Sequence, residues 1–191
     1  MAGRDAEFER HLDEFGPRLR ALAAGILCRP DEADEVCQEA FLTLWRNPPR
    51  ETGAGAVYTW LRRVVTNLCI NRLRRRRPAE LDAEPAGDPG PDPAAPDPAR
   101  QAETTELAAI CRGMMSELSA EKRAVLSLRV LEDLSYEEIA AALGCSLGTV
   151  MSRLHRARQE IIGRLHRLGL SADGVRESAS PARPLLRRGG S

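Results

Sequence analysis

The chain has 191 residues, of which 42% are apolar and 29% charged, with 28 basic and 28 acidic residues. That length suits one medium domain or two small ones. No apolar run approaches the roughly 18 residues of a membrane span, and the charged start, with Asp5, Glu7, Glu9 and Glu14, is no signal peptide. A cytoplasmic protein without membrane insertion is expected.

The first fifty residues read as helices. Phe8, Leu12 and Phe15 predict one short helix, and Leu19, Leu22, Ala23 and Ile26 predict another after Gly16-Pro17. Asp31 is placed to cap a third helix, with Asp34 in its first turn. In that helix Ala33, Val36, Cys37, Ala40, Phe41, Leu44 and Trp45 fall at helical spacing. Its opposite face carries Asp34, Glu35, Gln38 and Glu39, a surface that suits a basic partner, although taken alone a solvated face is the better reading. Asn47-Pro48-Pro49 ends it.

After a loop containing Gly53 and Gly55, Val57, Trp60, Leu61, Val64, Val65 and Leu68 form the next stripe. Arg62, Arg63 and Thr66 are expected opposite it, Asn67 on its edge and Asn71 just beyond. From Arg62 to Arg77 there are seven Arg and no acid. Arg neutralises phosphate and Asn hydrogen-bonds bases, but a solvated Arg cluster at a helix end accounts for the block equally well. Trp45 and Trp60 lie on apolar stripes, which favours core packing over base stacking.

Composition then changes. Seven of the thirteen Pro fall in 78–98, and 80–103 holds seven acids against the single base Arg100. Residues 84–100 have no large apolar side chain and cannot offset the entropy of ordering. Residues 78–103 therefore read as an acidic, Pro-rich linker, and 169–191 as a disordered tail.

Between them, 104–168 reads as a second helical module. Leu107, Ile110, Cys111, Met114 and Leu118 form one stripe. Ser119 is placed to cap a helix carrying Val125, Leu128 and Leu131. Ser135 and Glu138 have capping-box spacing. The helix they begin stops at Gly144, a residue suited to the left-handed conformation. Ser146 can cap the last helix, whose inner stripe is Val150, Leu154, Ala157, Ile161, Leu165 and Leu168. A short helix, a Gly turn and a basic helix make the helix-turn-helix layout. At 100° per residue, Gly148, Ser152, His155, Arg156 and Gln159 point outward, with Thr149 and Arg153 on the flanks. Ser152 and Arg156 suit base edges; Arg153 and Arg158 suit phosphates. A solvated basic helix is the bland alternative, and the coincidence of two caps with the turn Gly weighs against it.

No segment alternates at period two, so the fold class is all-α: two small helical domains, 5–77 and 104–168. The five Cys (28, 37, 69, 111, 145) have irregular gaps with no zinc spacing, and no Walker-type Gly loop is present. No metal, cofactor or catalytic residue is expected.

The segments DEADEVCQEAFLTLWR, TWLRRVVTNLCINRLRRRR and LEDLSYEEIAAALGCSLGTVMSRLHRARQEI together resemble the extracytoplasmic-function sigma factors. The resemblance covers about 5–77 and 104–167. It implies a sigma-two-like domain that binds core RNA polymerase and the −10 element, and a sigma-four-like domain that binds the −35 element. Asp34, Glu35, Gln38, Glu39 and Trp45 match the segment that grips the β′ clamp helices. Arg62, Arg63, Asn67, Asn71 and Arg74 match the −10-facing helix. The loop 47–56 matches the loop that captures a flipped base. Ser146, Thr149, Ser152, Arg153, His155 and Arg156 match the −35 reader; family members often carry a basic residue where Met151 stands. The implied partners are core polymerase, through the β′ clamp helices and β flap, promoter DNA, and an anti-sigma factor. An acidic linker of this kind is expected to lie in a basic polymerase channel. The rivals are a helix-turn-helix regulator acting without polymerase, which leaves the Arg62–Arg77 block unused, and a metal-dependent enzyme, which three His and scattered Cys disfavour.

Overall fold

A computed structural model describes residues 2–51, 53–76 and 108–169 of the chain. The linker 78–103, nearly all of the tail 169–191, and Leu107 lie outside those residues. Among the described residues every regular element is a helix, as the periodicity predicts.

The first helix, α1 (Ala2–Leu27), is one element, not the two short helices expected on either side of Gly16-Pro17. Pro17 removes one backbone donor to Asp13, but both residues are exposed, so water can serve the orphaned carbonyl. Burial explains why the helix runs through. Phe8 is half-buried and His11, Phe15, Leu19, Leu22 and Ile26 are buried, an uninterrupted stripe at spacings of three and four. His11 occupies the place assigned to Leu12, which is 44% exposed. The helix ends at Cys28, whose φ of 59° is left-handed and whose N–H donates to the Ala24 carbonyl at 2.8 Å, a cap usually made by glycine.

The second helix, α2 (Pro30–Arg46), begins with Pro30 in its first turn and Arg29 as N-cap, without a side-chain capping bond. Asp31 therefore does not cap it. It sits in the first turn with Glu32, where acidic charge favours the helix dipole. Ala33, Val36, Cys37, Ala40, Phe41 and Leu44 are buried as expected. Trp45 is 38% exposed and meets the edge of Phe8, ring centroids 5.2 Å apart.

In α3 (Ala54–Arg76) the buried face is turned from the expected one. Val57, Tyr58, Leu61, Arg62, Val65, Thr66, Cys69 and Ile70 are buried, while Trp60, Val64 and Leu68 are only partly so. Arg62 and Thr66 thus lie inside, contrary to their expected outward position. The cause is tertiary. One side of α3 packs on α1 and α2, and the adjoining side packs on α5 and α6 of the second module. A lone-helix reading sees only the first of these.

The second module comprises α4 (residues 108–116), α5 (Ala120–Leu131), α6 (Tyr136–Leu143) and α7 (Leu147–Arg167). Ser119 is the N-cap of α5 but makes no side-chain capping bond. In α6 the capping box is complete: Ser135 Oγ accepts from the Glu138 N–H at 3.1 Å, and the Ser135 N–H donates to Glu138 Oε2 at 2.8 Å. These bonds hold the Glu138 carboxyl below the usual carboxylate range. Of the expected stripes, Leu131 is 48% exposed and Leu168 58% exposed, because both end their helices beyond the packed region.

The two modules pack into a common core that includes Leu19, Leu22, Ile26, Leu61, Val65, Ala124, Val125 and Leu128. An apolar groove of about 670 Å³ opens along their seam, lined by Ala24 and Cys28 from α1 and by Met114, Leu126, Ile161 and Leu165 among others.

Burial pushes the Cys37 thiol up to about 11 and the Cys69 thiol up to about 12. Burial, reinforced by the bonded Glu132 carboxylate, also raises the Tyr58 phenol. The folded chain therefore keeps protons that the unfolded chain releases first. Stability should hold below pH ~9 and fall as pH rises toward ~11. Urea midpoints at pH 8 and pH 10.5 test this, and the fall should be smaller in a Cys37→Ala/Cys69→Ala variant. Ser135→Ala should cost about 1 kcal/mol in a thermal melt through loss of the cap. Gly144→Ala should cost about 1 kcal/mol for the left-handed backbone alone, since a Cβ there meets nothing within 4 Å.

Candidate nucleic-acid interface

The helix-turn-helix is built from α6, a turn and α7. Gly144 takes φ 61° and ψ 39° and donates its N–H to Ala140. The Cys145 N–H adds a second bond to the same carbonyl at 3.1 Å. Ser146 then restarts the chain as N-cap, its Oγ accepting from the Thr149 N–H at 3.2 Å. These caps fix how far α7 turns relative to α6. The burial of Val150, Leu154, Ala157 and Leu165 then fixes which way α7 faces. Ser152, His155, Arg156 and Gln159 are exposed, and Thr149 and Arg153 are half-buried on the flanks, as the helical-wheel reading expects. Ser146 is exposed, but its hydroxyl is occupied by the cap and by Thr149 Oγ1 at 2.9 Å. Met151 is 50% exposed, an apolar side chain beside Ser152.

On α3, Arg63, Asn67, Asn71 and Arg74 are all exposed. Their spacings of four, four and three put them along one side of the helix. Arg62 does not join them: it is 8% exposed and faces the second module. The Arg62–Arg77 block is also less free than its sequence suggests. Arg72 and Arg76 both pair with the buried carboxylate of Glu32 on α2, the Arg72 contact being 3.9 Å and the Arg76 contact closer. Arg72 also pairs with Glu35. Arg74 Nη2 reaches Glu121 Oε1 at 2.8 Å. Arg63 and Arg75 remain on the exposed surface.

On α2, Asp34, Glu35, Gln38 and Glu39 are exposed on a common face. Asp34 pairs with Arg20 of α1. Trp45 lies at the far end, with the Arg4 guanidinium 4.5 Å from its ring centroid. Next to it Phe8, His11, Leu44, Pro48, Pro49, Glu51 and Val57 line a recess of about 90 Å³. No group of three or more potential metal ligands occurs among the described residues.

The polar centre that sequence reasoning missed is Glu132, at the end of α5. Its side chain is 1% exposed. Tyr58 Oη donates to it at 2.7 Å, Arg18 Nη2 lies at 3.0 Å and Arg62 Nη1 at 3.8 Å. All three partners belong to the first module. The guanidinium carbons of Arg18 and Arg62 also lie 4.7 and 5.8 Å from the Tyr58 ring centroid. Toward the start of α5, Arg123 Nη1 donates to the Leu27 carbonyl at 3.4 Å, placing a cation at the negative end of α1. Burial pushes the Glu121 carboxyl up, but its own backbone N–H and then Arg74 and Arg153 outweigh this and hold it below the usual range. No sequence signal marks these contacts, since the Glu132 partners are 74 and 114 residues away for Tyr58 and Arg18.

Comparison with known proteins gives the arrangement a family. Residues 12–79 match Sigma-70 region 2 and residues 111–161 match Sigma-70, region 4. The chain is 34% identical over 168 residues to the ECF RNA polymerase sigma factor SigE of Mycolicibacterium smegmatis, covering 84% of this chain and 61% of that protein. It is 40% identical over 137 residues to the RNA polymerase sigma-H factor of Pseudomonas aeruginosa, covering 68% and 71% of the two chains. It is 35% identical over 161 residues to the ECF RNA polymerase sigma-E factor of Haemophilus influenzae, covering 79% and 85%. The fold resembles that of Bartonella quintana RpoE, solved with the anti-sigma factor NepR, at a TM-score of 0.62 and 23% identity over 83% of this chain and 96% of that one. Two module families in the right order, on helices whose exposed faces carry Arg, Asn, Ser and His, make this chain a member of the extracytoplasmic-function sigma factors, which direct RNA polymerase to promoters at transcription initiation.

Proposed function

We propose that this chain binds core RNA polymerase, reads the −10 element with α3 and the −35 element with α7, and assists DNA melting. The observation that carries this is the pair of exposed reading faces, one on each module: Arg63, Asn67, Asn71 and Arg74, and Ser152, His155 and Arg156. Arg156 suits bidentate contact with guanine, while Arg153 on the flank suits a phosphate. The acidic face of α2, with Asp34, Glu35, Gln38 and Glu39, suits a basic surface of the polymerase such as the β′ clamp helices. The second module is the part offered to the β flap.

Pro48, Pro49 and Glu51, which follow α2, line with Trp45 the recess described above. A recess next to a DNA-reading helix suits an unstacked base, which must be held once it leaves the duplex. Strand separation would then be driven by captured bases and polymerase contacts, without nucleotide hydrolysis. Arg62 is withdrawn from this set, because its guanidinium serves Tyr58 and Glu132 instead.

An anti-sigma factor is the further proposed partner, on the likeness to the B. quintana protein. The apolar groove along the module seam is the surface it would cover. It is continuous with the interface between the modules and drew its walls from both, so a helix lying there would hold them together. No helix among the described residues is long and apolar enough to cross a membrane.

Run-off transcription with core polymerase and a promoter library tests the reading. Specific starts that depend on this chain are expected; none from any template would sink it. Arg156→Ala should weaken discrimination at one −35 position by about 1–3 kcal/mol. A uniform loss on all sequences would make Arg156 a phosphate contact instead.

A further inference from the structure

We propose that Met151, with Leu147 one turn behind it, reads the C5-methyl group of a thymine in the −35 element, so that this chain selects thymine at one position through an apolar contact. This rests on the function proposed above for α7 and adds to it a base and the group on that base.

The start of α7 exposes an apolar pair. Met151 is 50% exposed and Leu147 38% exposed, although the same helix buries Val150, Leu154, Ala157 and Leu165. The two residues are four apart and so are neighbours on one side of the helix. Met151 also stands three residues after Gly148 and four before His155, which puts it on the border of the reading face. Every other exposed side chain from Ser146 to Gln159 is polar or charged. One exposed apolar residue is ordinary on a protein surface. An adjacent pair on the rim of a polar reading face is a patch that points to an apolar group on what that face meets.

Gly148 gives independent support. It lies in the first turn of α7 and is exposed. A Cβ added there would meet only Ser146 Oγ, at 3.9 Å, which is ordinary contact. The packing of the chain therefore does not call for a glycine, and glycine is a poor helix former. What the missing side chain allows is close approach of another surface to the helix backbone. Met151, one turn further on, is placed to use that approach.

The apolar group that base edges present in the major groove is the thymine methyl. The methionine side chain carries no hydrogen-bond donor and only a weak acceptor, on a stem with three rotatable bonds. It gains contact area from a methyl and leaves the polar edge of guanine or adenine without a partner. Ser152 and Arg156 then read polar edges while Met151 reads the apolar one. Burial of one methyl group corresponds to about 3–5-fold in affinity. Met151 and Arg156 are five residues apart, or about 7.5 Å along the helix. The thymine should therefore lie within about three base pairs of the position that Arg156 reads, at ~3.4 Å per base pair.

The experiment uses holoenzyme assembled from the full chain and purified core polymerase, on a promoter from which it starts. Each thymine of the −35 element, on either strand, is replaced in turn by deoxyuridine, which pairs as thymine does but lacks the methyl. Wild type should lose about 3–5-fold in affinity at one position. Met151→Ala should bind the thymine and deoxyuridine promoters equally at that position, and Met151→Leu should keep the preference. The salt dependence of binding should be the same for wild type and Met151→Ala, because an apolar contact releases no cation from the DNA. Met151 is half exposed, so its truncation opens no core, and a thermal melt checks that each variant is folded. Specific binding with no deoxyuridine effect at any −35 thymine would overturn the inference alone. So would an effect that survives in Met151→Ala, or a loss in Met151→Ala that is equal on both promoters, which would make the patch a protein contact. Failure of the wild-type holoenzyme to bind any promoter specifically would overturn the sigma function proposed above, and this inference with it.

Discussion

The architecture depends on the burial of one long helix. Leu19, Leu22, Ala23 and Ile26 of α1 are fully buried, and α1 packs on α2, α3 and α5. It is thus shared between the core of the first module and the seam with the second. This sharing explains why Pro17 is tolerated. A break there would separate the polar entry of the helix from its apolar end, and the lost contacts would outweigh the single orphaned carbonyl. It also explains the close approach at Gly25, where a larger side chain would meet α5.

Much of the local structure was legible in the sequence where the determining contacts are local, although the side-chain caps expected from Asp31 and Ser119 are not made. The Ser135/Glu138 capping box, the left-handed Gly144, the Ser146 cap and the outward set Ser152, His155 and Arg156 all follow from spacings within a few residues, and the structure shows each of them. The apolar stripe of α2 is equally local. Reading failed where a helix has a second partner. On α3 the expected solvent side includes Arg62 and Thr66, and both are buried because α5 and α6 cover that side. The two-helix reading of 8–26 failed for a related reason. Gly16-Pro17 carries a strong local stop signal, and only the unbroken stripe through His11 and Phe15 shows that burial overrides it.

Of the interface, the exposed faces were legible and the inter-module contacts were not. The sequence shows basic and acidic residues in separate blocks, which suggests free basic surfaces. The fold interleaves them instead. Glu32 draws in Arg72 and Arg76, Glu121 draws in Arg74, and Glu132 draws in Arg18 and Arg62. These three acids lie outside the acidic linker, as isolated members of helices, so no charge count along the chain singles them out. Two of them are buried, and a buried carboxylate is stable only where fixed cations or donors answer it. Their positions therefore show how the modules are held better than the conspicuous charge runs do.

The ion pairs at the seam also bear on how salt acts. Moving an Arg from a carboxylate onto a phosphate releases the cation condensed on the DNA but leaves the carboxylate to attract cations in its turn, so fewer ions are released on balance than the Arg count suggests. Raising salt weakens the contact with DNA but screens the exposed seam pairs as well, Arg74 with Glu121 among them. The two effects oppose each other. The ionic strength that best supports engagement of nucleic acid should then lie at an intermediate value, set by the balance of internal and external ion pairs rather than by either alone.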